Sequence, residues 1–495
     1  MQAVGAAWLM VSLGATSVEI ALIQTASTLP FFVLALPAGV FGDLVDRRRL
    51  VLATEVWMLA AAVALVCVTA LGAMTPWLLL GLTFVLSAGD AFEAPSWRAL
   101  LPELVDREDI AAASALNGIE FNLARAVGPA LGGLLIASLG VTAAFTVNAL
   151  SFFGVILVVA RWRRKVQRGT APPEKLGGAT VAALRYVRHS PAIRTLLLRT
   201  GSVMFFGSAL VAMLPVAARR LSGSSLGYGA LLAAFGVGSV LGASGLPRLR
   251  RRFSAEAVLA LALAGLAADL VATSSLRSLP GLVPFMLLGG AGWMAFLSTT
   301  NAMVQRLAPA WVRARVLAVS LLVFQGSLAL GSVVWGFSAE RAGLGLALLL
   351  AGAGVAATAL LRFVAPLPDV EVDLSTWNHW PVPAPVEELG HDLEDGPVLV
   401  TVEYRVDPEQ VTAFVEAVHG LGRLRRRDGA SRWGIYFDTD APDRYIETFI
   451  VSSWAEHLRQ HERAIAADRL VEEAVRRQVR EGPVVRHYLY ADRGD

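Results

Sequence analysis

Charged side chains set inside long apolar runs are the first residues to weigh, because an ionisable group held in hydrocarbon is costly and marks function by default. The run 76–99 carries Asp90 and Glu93, with Trp97 on the same face by i, i+3, i+7 spacing. The next run returns with Glu120, Asn122 and Arg125. Successive spans point in opposite directions, so residues equally far from their shared turn lie at similar depth, which predicts Arg125 beside Asp90 or Glu93. Next to a fixed guanidinium, one of several carboxyls can be tuned to take up and release a proton. The same residues also fit a static ion-pair network joining two helices. Glu19, Glu55 and Asp269 are weaker candidates, near span ends or alone.

Two further patterns carry chemistry. Residues 39–49 read Gly39-Val-Phe-Gly42-Asp43-Leu-Val-Asp46-Arg47-Arg48-Arg49. A carboxylate at a helix end beside clustered arginines can pair across a seam between helix bundles and hold one conformation shut, so Gly39, Asp43, Arg47 and Arg48 are a candidate conformational gate. Residues 126–133 read Ala-Val-Gly128-Pro129-Ala-Leu-Gly132-Gly133. Small residues let helices approach closely, and a proline without its amide donor bends the helix that holds it.

The elements that position these residues are apolar helices. Of the 495 residues 55% are hydrophobic and 17% charged, against about 25% charged in soluble proteins. Residues 401–495 hold 32 of the 83 charged side chains, so a membrane part precedes a soluble part. A span needs about 20 mostly apolar residues, and eleven such runs occur near 17–41, 50–72, 76–99, 110–138, 141–160, 196–218, 227–247, 254–275, 281–304, 314–338 and 343–364. Residues 1–13 are apolar but too short to cross. They are expected to be the back half of a first helix that begins upstream, for an intended total of twelve. Lys and Arg collect in cytoplasmic loops. One set of alternate loops holds 21 basic residues and the other only Arg219, Arg220, Arg277 and Arg341, so the first set, the loop 161–195 and the tail are expected in the cytoplasm. The only cysteine, Cys67, excludes a disulfide framework or a Cys-based zinc site. A soluble tail of net charge −2 excludes a nucleic-acid binder driven by bulk charge.

Two bundles of six joined by a basic loop predict a transporter with its site at the interface of the halves. The expected division is an N-terminal bundle at 1–160, a central loop at 161–195, a C-terminal bundle at 196–365, a Pro-rich acidic linker at 366–395 and a soluble domain at 396–495. No P-loop with GK[ST] is present to power an ATP-driven pump. The 39–49 motif resembles the loop signature of the major facilitator superfamily, with Leu44 where an arginine usually follows the aspartate. The Gly128-Pro129-x-x-Gly132-Gly133 core is similar to the fifth-helix motif of that superfamily's exporters, with Ala115 and Ala124 where earlier glycines stand. The stretches Ala91-Phe92-Glu93-Ala94-Pro95, Ala99 to Val105, Ala115-Leu116-Asn117, Gly290 to Trp293, Thr299-Thr300-Asn301, Val304-Gln305, Trp311-Val312-Arg313 and Phe324-Gln325-Gly326 resemble its enterobactin-exporter-like branch, also called transmembrane secretion effectors. The resemblance implies a multi-pass protein of the cell membrane that exports a siderophore, an antibiotic or a similar amphipathic metabolite by proton antiport. Trp97, Trp293, Asn301, Gln305 and Gln325 are candidate cavity lining. No cofactor or metal is expected, and the partners are the bilayer, protons and a small molecule. Uptake, or an enzyme or sensor tethered to the membrane by its tail, are the competing readings.

In the tail, the alternating strand 398–406 is followed by Asp407-Pro408-Glu409-Gln410, a helix start with a cap and a proline at its first position. A helix to about Arg427, strands at 432–438 and 445–452, a helix capped by Ser453 and a strand at 484–490 complete β-α-β-β-α-β, a ferredoxin-like order. Arg423 to Arg427 read as a solvated helix end, and Trp433 and Tyr436 as sheet packing. Trp454, His457 and His461 resemble the dimeric α+β barrel group of antibiotic-biosynthesis monooxygenases and haem degraders. That resemblance implies dimerisation through the tail. His457 and His461, one turn apart, could bind a metal or haem but lack an evident third ligand.

Overall fold

The computed structural model describes residues 2–105, 131–162, 176–367 and 395–490, with scattered positions between them. The side chains of residues 35–36, 39–44, 98–99, 101–104, 176–181 and 462 are excluded from the description. Among the described residues ten helices are long and apolar enough to cross a membrane: α2 (Ser17–Leu44), α3 (Arg47–Ala70), α4 (Pro76–Leu104), α5 (Val141–Arg161), α7 (Pro191–Ser222), α8 (Ser225–Arg250), α9 (Ala255–Ser275), α10 (Leu279–Leu307), α11 (Ala310–Ala342) and α12 (Leu344–Ala359), the last crossing with the short α13 (Leu361–Val364). The short α1 (Gln2–Ser12) precedes them and α6 (Leu176–His189) lies between α5 and α7. The expected run 110–138 lies mostly outside the described residues, its last part, 131–139, being helical.

The helix starts follow local chemistry. Thr75 accepts from the Leu78 amide with Pro76 at the first helical position of α4, and Ser224 and Ser254 cap α8 and α9 in the same way. Gly140 and Gly343 precede α5 and α12 with φ of 84° and 88°, a left-handed conformation that favours glycine. These two helices thus begin on the same kind of turn.

The chain separates into two compact units. The first holds residues 1–171, 197–300 and 320–367; the second gathers 172–196, 301–319 and 368–495. The second unit therefore includes α6 and the turn that joins α10 to α11. Its C-terminal part is an antiparallel sheet in the order β2-β3-β1-β4, from β1 (Val398–Arg405), β2 (Arg432–Phe437), β3 (Arg444–Val451) and β4 (Val484–Leu489). The helices are α14 (Val411–Asp428), α15 (Trp454–Arg463) and α16 (Arg469–Arg476). Alternation along β1 turns Val398, Val400, Val402 and Tyr404 inward, onto Phe414 and Val418 of α14.

Three local expectations need correction. Asp407 makes no cap hydrogen bond: Pro408–Gln410 is a single 3-10 turn and the Asp407 carboxylate goes to Arg480. The linker 366–395 does not run clear of the tail, because residues 373, 375 and 377 exchange backbone hydrogen bonds with 464–467. The arginines closing α14 are not a solvated end: Arg427 is buried between Asp428 and Asp468, and Arg425 lies over the Phe449 ring.

Candidate functional site

In the first unit, α3 and α4 bring three acids together. Glu93 is buried on α4 and accepts a hydrogen bond from the Thr54 hydroxyl of α3 at 3.2 Å. Glu55 is also buried on α3 beside Glu93, its Oε2 without a hydrogen bond among the described residues, and Asp90 lies close enough to act on both through its charge. Asp90 is exposed, as is Trp97 on the same helix. The Thr54 hydroxyl also reaches Leu50 O at 3.0 Å and Val51 O at 2.9 Å on its own helix. Glu55, ranked behind Asp90 and Glu93 in the sequence, is the partner that sequence reasoning missed; its place on α3 relative to α4 is a tertiary fact. Arg125, the expected counter-charge, and Glu120, a further candidate carboxyl, lie outside the described residues.

The candidate gate divides. The Asp43 side chain and Gly39 fall among the side chains not described. Arg48 donates to Val159 O at 3.1 Å and Ala160 O at 2.7 Å, the last carbonyls of α5, so its described partners lie within its own bundle rather than across the seam. Asp46 caps α3 by accepting from the Arg49 amide.

The seam between the halves is closed along one end. Arg219 of α7 donates to Val11 O at 2.9 Å, and Trp8 stacks on Tyr228 at 6.2 Å. The Val18 amide reaches Glu340 at 3.3 Å, and the Thr25 hydroxyl donates to Ala329 O at 3.0 Å. Of the fifth-helix motif, a Cβ on Gly133 would sit 2.5 Å from the Gly229 Cα of α8, so two backbones touch there as only glycine permits. Gly132 is also buried, Gly128 faces open space, and Pro129 lies outside the described residues.

Inward of the Thr25 contact, a cavity of 520 Å³ opens between α2 and α11, lined by Leu29, Phe32, Val323, Gly326 and Leu330 among others. This is the size of a small-molecule site, and its lining is apolar. None of the expected lining residues borders it, although Gln325 adjoins Gly326 in sequence. Trp293 instead packs with Phe235 and Phe324 at 6.3 and 6.4 Å and fills the space beside Gly207. Asn301 and Gln305 are exposed near the end of α10, in the second unit. Asp269 of α9 is fully buried against Gly289 of α10, with Oδ1 near the Thr273 hydroxyl and Oδ2 without a hydrogen bond.

The tail holds a histidine cluster. His457 and His461 of α15 approach at 3.4 Å between Nε2 atoms, and the rings of His457 and His487 lie 4.7 Å apart beside Trp454. His487 was missed in the sequence, although period-two alternation with Val485 and Leu489 signals an inward-facing residue; it pairs with Val400 in the register. Burial, with the neighbouring imidazoles adding to it, pushes His457 down to about 3. Burial and then Arg425 push His461 down to about 4, and burial lowers His487, so all three are neutral at neutral pH. Among the described residues no group of three or more His, Cys, Asp or Glu is arranged to hold a metal ion. Trp433 packs on Gly422, while Tyr436 is exposed rather than packed.

The profile of the family described as transmembrane secretion effector matches residues 1–495. The multidrug efflux pump Tap of Mycolicibacterium fortuitum is 29% identical over 354 residues, 68% of this chain and 84% of that protein. The enterobactin exporter EntS of Salmonella typhi is 28% identical over 219 residues, 43% of this chain and 51% of the exporter. The staphyloferrin A transporter of Staphylococcus aureus is 21% identical over 248 residues, 50% of this chain and 62% of that transporter. Among solved structures, a variant of the nucleoside transporter NupG superposes with a TM-score of 0.62 at 11% identity, covering 73% of this chain and 94% of that one. A likeness at that identity shows a shared fold.

Proposed function

Because the chain belongs to the transmembrane secretion effector family, we propose that it is a proton-coupled exporter of a small amphipathic metabolite such as a siderophore or antibiotic. It is a multi-pass membrane transporter of the major facilitator type, with efflux proteins among its relatives. The reading of cargo draws on the names of three relatives: two handle siderophores and one is a multidrug pump. The apolar 520 Å³ cavity between α2 and α11 suits the hydrophobic part of such a molecule.

The observation that carries proton coupling is the pair Glu55 and Glu93. Two carboxyls buried side by side repel each other when both are charged, so the pair is read as holding one proton between them. Asp90, exposed beside them, is the port through which that proton exchanges, with Arg125 as the counter-charge and Glu120 as a further carboxyl of the site. The basic-residue count puts the arginine-rich ends of the spans and the tail in the cytoplasm. The sealed end at Val11, Val18 and Gly133 then faces outward, and the cavity belongs to a state open to the inside. Gly39, Asp43, Arg47 and Arg48 serve as the gate in the opposite state. The tail is read as a ferredoxin-like domain that can pair with a second copy.

Comparing the metabolites retained by a deletion strain identifies the cargo, which is then loaded into proteoliposomes. Export should collapse with a protonophore and persist without the tail, and Glu93→Gln should transport without responding to a pH gradient. Gradient-driven export by Glu55→Gln, Asp90→Asn and Glu93→Gln at the parent rate would sink the proton site. Turnover of the cargo by the tail would favour the tethered enzyme.

A further inference from the structure

We propose that the end of α14 together with α15 forms a reversible latch on this chain's own α6 and on the turn between α10 and α11, and that its release frees that turn to move. The contacts all lie within the second unit. Arg185 of α6 donates to Glu456 of α15 at 2.7 Å and reaches Gly429 O at 3.4 Å. The Arg427 guanidinium lies over the Tyr186 ring at 5.8 Å, and that of Arg463 lies over Trp311, at the start of α11, at 4.6 Å. Tyr186 joins the two partners, since its hydroxyl donates to Leu307 O at 3.0 Å and its ring meets Trp311 edge-on at 5.7 Å.

The way the charges are shared makes the latch reversible. Glu456 binds Arg463 at 2.7 Å and Arg459 at 2.9 Å as well as Arg185. Arg427 binds both Asp428 and Asp468. Arg463 also donates to Asp428 O at 2.6 Å. Each of these charged groups of the domain keeps a partner of its own when α6 and Trp311 leave, so separation strands no buried charge, the event that makes broken ion pairs expensive. A permanent interface of this kind is built on apolar packing; polar interfaces inside a chain go with relative motion. Tyr186 and Trp311 are the aromatic anchors, and among the described contacts Arg185 is the cation that gives up its anion. The partner segments 301–319 are the facing ends of α10 and α11, and α11 lines the apolar cavity, so a hold on the turn is a hold on a helix of the transport path.

The proposal rests on the transport reading, but its test uses no cargo. In full-length Cys67→Ser protein in lipid nanodiscs, one pair of spin labels at Leu184 and Thr412 reports docking and a second pair at Arg49 and Ala310 reports the position of the turn. In Arg185→Gln the fraction of long Leu184–Thr412 distances should rise by about tenfold, as expected for the loss of one charge-assisted hydrogen bond. The Arg49–Ala310 distribution should change with it, and Arg185→Lys and the parent should agree. Trp311→Ala should move both pairs in the same direction, which guards against a local failure of α6. A long-distance fraction that stays within twofold of the parent, or one that rises while Arg49–Ala310 is unchanged, overturns the latch.

Discussion

Two buried glutamates, one in each unit, meet opposite fates. Glu447 of β3 is fully buried and receives the Tyr404 hydroxyl and the Trp433 indole at 2.8 Å each, with the Arg425 guanidinium 3.6 Å away. Glu93 of α4 is also buried, and its described neighbours are one hydroxyl and two further acids. Two hydrogen-bond donors and a cation within ion-pair distance hold the Glu447 side chain in one place. On the proposed reading, the hydroxyl and two carboxyls described beside Glu93 let it change its proton. Burial makes a carboxyl important in both places; the sign of what surrounds it decides between scaffold and site.

The sharpest way to break this comparison is to neutralise both acids. Glu447→Gln should take one carboxylate from the buried Arg425 and weaken the acceptor of the Tyr404 hydroxyl and Trp433 indole, costing about 3–5 kcal/mol, read as lost amide-exchange protection across β1 to β4 in the full-length protein. Glu93→Gln should keep the fold and lose only the dependence of transport on the pH gradient. If both substitutions unfold their surroundings alike, the distinction between scaffold and site fails.

A second prediction concerns how the two units close their contacts, by bare backbone in the membrane and by charge in the tail. Gly133→Ala places a methyl against the Gly229 backbone, and overpacking of that kind costs about 1–3 kcal/mol. Spin labels at Ser12 and Ser222, both exposed near the sealed end, should gain a longer distance in this variant. No change would mean that the seam tolerates the added methyl and that glycine is not required there.

The smallest expected effect is on pH, and it belongs to the tail. His457 and His461 are held at about 3 and about 4 against 6.5 when unfolded. Above pH 6.5 both states are neutral and nothing is gained. As pH falls below 6.5 the unfolded chain takes up protons that the folded one refuses, so stability declines toward pH 4. Glu456 works in a lower window: burial opposes its charge, but Arg463 and Arg185 hold it at about 2, so its contribution is lost only between about 4.5 and 2. Amide protection of the tail should therefore decline first between pH 6.5 and 4, and His461→Asn should flatten that slope. A slope unchanged by His461→Asn would remove the histidines from the account.

The helices and their order were legible because apolar runs of bilayer length and a period of two are one-dimensional signals. Asp90 and Glu93 stood out because charge inside an apolar run is rare. The partnership of Glu55 was not legible, since it depends on which face of α3 meets α4, and thirty-eight positions separate it from Glu93. The arginines at the end of α14 look solvated in sequence; Asp468, forty-one residues on, is what buries Arg427. His487 was readable from alternation, but its nearness to His457 needed the register of β4 on β1.

On the reading of Glu93 as a proton site, the Thr54 hydroxyl sets how fast the site can work. The Thr54 hydroxyl has a single proton and three acceptors in reach, two carbonyls of its own helix and Glu93. It can serve only one at a time, and turning between them needs nothing more than rotation about its C–O bond. When Glu93 is charged the hydroxyl points to it; when Glu93 is loaded the hydroxyl swings back to the helix. Neither orientation strands a donor, so Glu93 can be filled and emptied without the surrounding helices first having to repack. A Thr54→Val side chain has no such rotor, and loading would then become a slow step tied to backbone motion.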